Sequence, residues 1–167
     1  MTYNEERQRL VEAGFTGFTT IGALMADTCA APAAAGVYVV MRNDDGRPTF
    51  TAKGTGGFFK QKDPNVSIDE LKRNWVDDTS IVYIGKAGGP KSGATLRSRL
   101  RQYMEFGQGK PIGHYGGRYI WQLQDAKELI VCWKVIGDKD PRDVEKQMIA
   151  SFKAEHGGGR PFANLID

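Results

Sequence analysis

The run ELIVCWKVI, residues 128–136, constrains the fold of this chain more than any other feature of its sequence. It is nearly continuous in apolar residues and rich in β-branched and aromatic ones, which is typical of a strand covered on both faces. Two other runs, GVYVVMR at 36–42 and IVYIGKA at 81–87, have the valine and tyrosine content of strands. The three runs predict a sheet with a buried central strand.

Helical patterns lie between and around these strands. SIDELKRNW opens with a capping box from Ser67 to Glu70, and DPRDVEKQMIASFKAEH opens with Asp140 as N-cap, followed by proline. Further helices are predicted in NEERQRLVEAG, TTIGALMAD and ATLRSRLRQYMEF, whereas RYIWQL at 118–123 fits a helix or a strand. Strands interleaved with helices predict a small α/β or α+β sandwich.

Length, charge and cysteine content are compatible with several classes of function. The 167 residues suit a single domain over 1–167. A net charge of +3, from 23 Lys+Arg against 20 Asp+Glu, does not establish a polyanionic partner, so any basic surface must come from local clustering. Cys132 is predicted to be a buried free thiol, and two cysteines make no disulfide framework, which fits a reducing cytoplasm. The sequence predicts no membrane span and no signal peptide.

A glycine-rich cationic loop joins the second strand to a helix in VYIGKAGGPKSGATLRSRLRQY, residues 82–103. Such a loop suits phosphate, and Lys91 with Ser92 matches the end of a Walker A motif. Pro90, however, stands where that motif needs its second glycine, and proline has no N–H to offer a phosphate. The loop is therefore not predicted to be a nucleotide-binding P-loop.

The helix after this loop carries an arginine on the flank of its apolar face. At about 100° per residue, Leu96, Leu100 and Tyr103 share the core-facing side, and Arg99 lies beside them. A half-buried guanidinium is costly unless it meets an anion. Arg99 is thus predicted to form a salt bridge with a core carboxylate or to clamp a phosphate.

The last predicted helix also carries a charged residue on its apolar face, in this case an acidic one. An apolar stripe contains Val144, Met148, Ile149 and Phe152, and Glu145 lies inside it. Capping is one possible role, but Asp140 and Asp143 already occupy the helix start. An inward carboxylate indicates a metal ligand, a partner for Arg99, or both through a shared phosphate.

Five motifs follow one another in an order that resembles the GIY-YIG nuclease superfamily. They are GVY at 36–38, YIG at 83–85, R-L-x-x-Y from Arg99 to Tyr103, the helical Glu145, and P-x-x-N from Pro161 to Asn164. The tripeptides alone recur by chance, but five motifs on the expected elements form a specific set. The resemblance covers about 36–42, 81–103 and 128–166, and it leaves 1–35 and most of 43–80 unexplained.

The resemblance implies a metal-dependent DNA endonuclease. It also implies a small central three-stranded, mainly antiparallel sheet flanked by helices. Residues 1–35 would then be an N-terminal helical extension, and 43–80 an insertion between the first two strands. The sequence departs from the family pattern here, because Tyr38 and Tyr83 are 45 positions apart where a short hairpin is usual.

The resemblance assigns site roles to seven residues: Tyr38, Tyr83, Lys86, Arg99, Tyr103, Glu145 and Asn164. The two strand tyrosines would project into the site with the lysine beside them. The arginine would hold the scissile phosphate, with the helical tyrosine one turn along, and the asparagine would fix the geometry from the C-terminal tail. The glutamate would be the single protein ligand of Mg²⁺ or Mn²⁺.

Contacts to DNA outside the reacting centre are expected from five side chains: Lys91, Arg97, Arg101, His114 and Arg118. The last two belong to GHYGGR, which suits either a DNA contact or a simple turn. The insertion, with Lys53, Lys60 and Lys62, would select the substrate or support the N-terminal helices. Two other function classes are a non-catalytic DNA-binding module on the same fold and a small-molecule phosphate enzyme. The inward glutamate argues against the first, and the missing Walker glycine against the second.

Overall fold

The structure, a computed structural model, describes residues 1–166 and has an α+β fold. Its α-helices are α1 (Tyr3–Glu12), α2 (Ile21–Ala26), α3 (Ile68–Asn74), α4 (Leu96–Gly107) and α5 (Pro141–Glu155). Its strands are β1 (Thr16–Thr20), β2 (Gly36–Met41), β3 (Ile81–Ala87) and β4 (Ile130–Val135). Within residues 1–166, no helix has the length and apolar character needed to cross a membrane.

The sheet has four antiparallel strands in the order β1-β4-β2-β3, so the prediction of three strands was wrong. The strand missed from sequence is β1, whose Thr16 pairs with Trp133 of β4. Its five residues are mostly exposed and include a bulge after Gly17, so no alternating pattern marks them as a strand. Residues 1–35 are therefore not a purely helical extension, because they contribute an edge strand to the sheet.

The prediction that the apolar run 128–136 forms an interior strand is confirmed. β4 lies between β1 and β2, and its first four residues are buried. Cys132 is a fully buried free thiol, and burial raises its pKa to about 12. RYIWQL, which was ambiguous, forms a 3₁₀ helix over Arg118–Gln122.

Helices cover the two faces of the sheet unequally. On one face α1 and α5 pack through Leu10 and Ile149 against the inner residues of β2 and β4. On the other face the larger cluster contains Leu96, Leu100 and Tyr103 of α4, together with α2 and the 3₁₀ segments. This larger cluster is where the predicted site tyrosines lie.

The insertion over 43–80 returns the chain so that β2 and β3 still pair directly. Tyr38 lies opposite Gly85, and Val40 lies opposite Tyr83. The insertion is tied to the body by Gln122, whose Nε2 donates to the Val66 carbonyl at 2.9 Å and whose Oε1 accepts from the Val66 N–H at 2.9 Å. Its length therefore does not separate the two strands that the resemblance pairs.

The outer edge of β3 is covered by the C-terminal tail. The Asn164 side chain accepts from the Ile84 N–H and donates to the Ile84 carbonyl, both at 2.9 Å. The Ala163 N–H donates to the Val82 carbonyl at 2.8 Å. The tail thus pairs with β3 as a further strand would, and it fixes the backbone between Tyr83 and Gly85.

A buried carboxylate joins α1 to the beginning of β3. Glu6 is 5% exposed, and its carboxylate accepts hydrogen bonds from the Thr79 hydroxyl and from the N–H and hydroxyl of Ser80. Three donors on one carboxylate offset much of the cost of burying it. This contact holds the N-terminal helix against the strand that carries Tyr83.

We expect Glu6→Ala to lower the free energy of unfolding by about 2 kcal/mol, because it leaves buried donors on Thr79 and Ser80 unpaired. Urea denaturation followed by circular dichroism measures the change. Glu12→Ala is the matched control on the same helix; its side chain is exposed, so its effect should stay within about 0.5 kcal/mol. Equal effects of the two substitutions would contradict the role given to Glu6.

Candidate active site

Three tyrosines meet between the sheet and α4. The ring centroids of Tyr38 and Tyr83 are 6.0 Å apart, those of Tyr38 and Tyr103 are 6.3 Å apart, and those of Tyr83 and Tyr103 are 5.6 Å apart. A side chain at Gly85 would overlap the hydroxyl end of Tyr38. The glycine of YIG is thus needed because the Tyr38 ring lies directly over it.

Burial makes all three phenols harder to ionise than a free tyrosine, whose pKa of about 10 already leaves it protonated at neutral pH. Desolvation is the main cause that raises the pKa of Tyr38 and of Tyr103 well above the usual range, and it raises that of Tyr83 to about 12. Arg99 opposes the shift at each ring. The contact between the two strand tyrosines raises the pKa of Tyr38 and lowers that of Tyr83. Of the two strand tyrosines, Tyr83 is the less buried, since Tyr38 is 1% exposed and Tyr83 is only partly buried.

Arg99 is half-buried beside the tyrosines and has no carboxylate partner within residues 1–166. Its Nη1 donates to the Gln102 side chain at 3.1 Å. The salt bridge with a core carboxylate, one of the two roles predicted for it, is not formed. A half-buried guanidinium without a counter-ion leaves the site able to accept an anion.

Glu145 is half-buried on α5, which packs against β3, the strand that carries Tyr83. Burial raises the pKa of its carboxyl, and Lys86, then Arg142 and Arg99, act in the opposite direction. Glu145 makes no ion pair among the described residues, although its charge also raises the pKa of Tyr83. The prediction of an inward carboxylate agrees with this placement.

Arg142 is the residue near Glu145 that the sequence interpretation missed. It precedes Glu145 by three positions on α5, and it is the second largest of the charges that lower the pKa of this carboxyl. Residues three apart on a helix are neighbours, so the spacing alone would have indicated this contact.

A metal at this site would be coordinated by a single protein carboxylate, that of Glu145. No group of three or more His, Cys, Asp or Glu side chains that could hold a metal ion is found in the described part of the chain. Such a site suits Mg²⁺, which keeps several waters and uses one or two carboxylates together with substrate phosphates. Glu145, half-buried and without an ion-pair partner, fits that requirement.

A glycine-rich segment, residues 108–117 and named the glycine loop below, closes over the tyrosines. The Tyr103 hydroxyl donates to the Gly117 carbonyl at 2.7 Å, and Gly117 has a φ of 80°. His114 in this loop stacks on Tyr103, with ring centroids 4.1 Å apart, and is fully buried. Burial lowers its pKa, and Arg99 adds to the effect. His114 therefore does not lie on a surface that can contact DNA, which corrects that prediction.

The two outer arginines of α4 are turned toward the segment before β2. Arg97 donates from Nε to the Ala31 carbonyl at 2.9 Å and from Nη2 to the Cys29 carbonyl at 3.2 Å. Arg101 donates to the Thr28 hydroxyl at 3.4 Å. Arg97 is consequently half-buried, with its guanidinium bonded to the protein's own backbone. Lys91 is exposed in the turn from Gly89 to Ser92.

Comparisons of the chain with protein-family models, with curated proteins and with solved structures gave no match. The functional assignment therefore depends on the geometry described above and on the ordered motifs. All seven residues that the resemblance assigns to the site lie on or beside β3, on the β2 strand next to it, or on the helices packed against them.

The raised pKa of Glu145 predicts how the stability of the protein changes when this charge is removed. A carboxyl whose pKa is higher in the folded than in the unfolded protein opposes folding above the folded pKa, and this penalty disappears below the unfolded pKa. We expect Glu145→Gln to keep or raise the melting temperature at pH 7. Its difference from the wild type should shrink as the pH is lowered below the ordinary glutamate pKa of about 4.3.

Asp143→Asn is the control on the same helix. Asp143 is exposed in the first turn of α5, where a negative charge is favourable, so its loss should lower the melting temperature slightly at pH 7. Thermal melts of the three proteins at both pH values measure the effect. A clear loss of stability in Glu145→Gln at pH 7 would show that the carboxylate is structural.

Proposed function

We propose that this protein is a metal-dependent DNA endonuclease with a site of the GIY-YIG type. The observation that carries the proposal is the pair Arg99 and Glu145. Both are half-buried near the tyrosines, they carry opposite charges, and they form no ion pair with each other or with another described side chain. A bound phosphate would neutralise the Arg99 guanidinium, and a divalent cation would neutralise the Glu145 carboxylate.

The chemistry would be hydrolysis of a phosphodiester bond. Arg99 would bind the scissile phosphate and offset the negative charge that develops during attack by water. Tyr83 is the better candidate for proton transfer, because its side chain is only partly buried whereas that of Tyr38 is fully buried. A divalent cation at Glu145 would cancel a charge that raises the pKa of Tyr83 and would stabilise the leaving 3′ oxygen.

The remaining residues of the site would orient these groups. Lys86 lies near Glu145 and would contact the phosphate backbone. Asn164 holds the β3 backbone on both sides of Ile84, which fixes the position of Tyr83. Tyr103 is fully buried and bonded to Gly117, so we assign it to positioning the glycine loop rather than to the reacting phosphate.

A second candidate function is a non-catalytic DNA-binding module on the same fold. It is favoured by one observation, the half-buried Arg99 guanidinium without a carboxylate partner among residues 1–166, which can bind a phosphate with no metal present. In that case Arg99 would bind a phosphate without cleavage. The two candidates differ in one expected result. An endonuclease cleaves DNA when a divalent metal is added, whereas a binding module leaves the DNA intact.

A plasmid-nicking assay tests the proposal. We expect the wild-type protein to convert supercoiled DNA to nicked or linear DNA with Mg²⁺ or Mn²⁺, and EDTA to stop the reaction. Glu145→Gln should bind DNA and cut at no measurable rate, because it lacks the carboxylate ligand. DNA binding without cleavage by the wild type would favour the binding module, and full activity of Glu145→Gln would remove the metal assignment.

Arg99→Lys separates catalysis from structure. Lysine keeps the charge but loses the planar fork that matches a phosphate, so we expect a single-turnover rate lower by roughly a hundredfold with little change in DNA affinity. Arg101→Lys is the matched control on the same helix and should cleave at the wild-type rate. A large fall in melting temperature for Arg99→Lys, with normal cleavage by the folded fraction, would make Arg99 structural.

A further inference from the structure

The insertion presents an exposed aromatic side chain next to lysines. Phe58 is 55% exposed and is the only exposed aromatic side chain within residues 1–166. Lys60 and Lys62 follow it, both are exposed, and neither forms an ion pair with a described carboxylate. Residues 57–63 are named the basic turn below.

The basic turn has a strained backbone. The Lys62 N–H donates to the Phe59 carbonyl at 3.0 Å, which closes a four-residue turn. The two central residues, Lys60 and Gln61, have φ values of 52° and 64°, in the left-handed region that normally requires glycine or asparagine. Such strain persists only where surrounding contacts determine the conformation, and it is concentrated at functional positions.

Contacts with the glycine loop and the helix before it hold the basic turn in place. The Gly57 N–H donates to the Phe106 carbonyl at 2.8 Å, and the Tyr115 hydroxyl donates to the Asp63 carbonyl at 2.9 Å. The Phe59 ring packs over Gly113. Since the glycine loop itself closes over Tyr103, the basic turn has a fixed position relative to the site.

A cationic and aromatic surface joins the basic turn to the site. The Arg118 guanidinium lies 4.0 Å from the Tyr115 ring centroid, and its buried Nε has no hydrogen-bond partner. The Lys62 ammonium lies 5.9 Å from the same ring. Arg118 directly follows Gly117, which packs against Tyr83. One end of this surface is therefore the candidate active site and the other is Phe58.

We propose that the basic turn is a docking arm for duplex DNA in which Phe58 inserts between base pairs from the minor groove. Lys60 and Lys62 would bind phosphates on either side of the groove, and Arg118 would bind one nearer the site. An apolar wedge flanked by cations is the arrangement that kinks a duplex. The proposal rests on the proposed function and adds the substrate class, because single-stranded nucleic acid offers no base-pair step to open.

DNA binding by the wild-type protein, measured in EDTA, tests the docking arm. EDTA removes divalent metal, so the result does not depend on cleavage. Fluorescence anisotropy would compare a labelled DNA duplex, its single strand and the RNA duplex of the same sequence. We expect the DNA duplex to bind most tightly. The double variant Lys60→Ala/Lys62→Ala should weaken this binding and reduce the slope of log affinity against log salt by about two. Lys72→Ala/Lys127→Ala, with the same change in net charge at exposed positions outside the basic turn, should leave the slope unchanged.

A duplex with 2-aminopurine reports whether Phe58 opens a base step. We expect the fluorescence to rise when wild-type protein binds, to stay near the free-duplex level with Phe58→Ala, and to rise partly with Phe58→Leu, which keeps an apolar wedge. A rise that is unchanged in Phe58→Ala, or no rise with any of these proteins, would overturn the insertion.

The outcomes separate the arm from the proposed function. Tighter binding to single strands or to the RNA duplex would overturn the choice of duplex DNA. Equal salt slopes for the two double variants would overturn the role of the lysines even if the wild type cleaves DNA. Conversely, duplex binding that depends on Phe58 and both lysines would support the arm even if the plasmid assay shows no cleavage and the endonuclease proposal fails.

Discussion

Pairing between β2 and β3 is the constraint on which the rest of the candidate site depends. It places Tyr38 opposite Gly85, and the Tyr38 ring can lie across β3 only because Gly85 has no side chain. The tail residue Asn164 holds the other edge of β3 with two hydrogen bonds to Ile84. β3 is thus fixed on both sides, and these backbone contacts set the position from which the Tyr83 side chain projects.

Two charged side chains at the site, Glu145 and Arg99, have no ion-pair partner among the described residues. Desolvation raises the pKa of Glu145, and Arg99 lies half-buried without a counter-ion among the described residues. The buried Arg42, by contrast, is paired: its Nε donates to Asp125 at 2.8 Å. Two opposite charges that stay unpaired beside the same three tyrosines depart from local rules where function is expected.

Much of the fold followed from patterns that depend on near neighbours in sequence. The strands β2, β3 and β4 and the helices α4 and α5 were predicted because apolar content and caps are local signals. β1 was not, because its Thr16 is stabilised by pairing with Trp133, far away in sequence. The burial of His114 was missed for the same reason, since it depends on a loop that closes onto Tyr103. Short-range periodicity does not describe these contacts.

The sheet order also bears on how the chain folds during synthesis. β2 and β3 can pair as soon as residue 87 has left the ribosome, but β1 must wait for β4, which lies between β1 and β2. Until Ile130–Val135 is made, the inner edge of β2 has unpaired backbone groups that can bind another nascent chain. The last-made central strand therefore completes the sheet and also covers the open edge of β2.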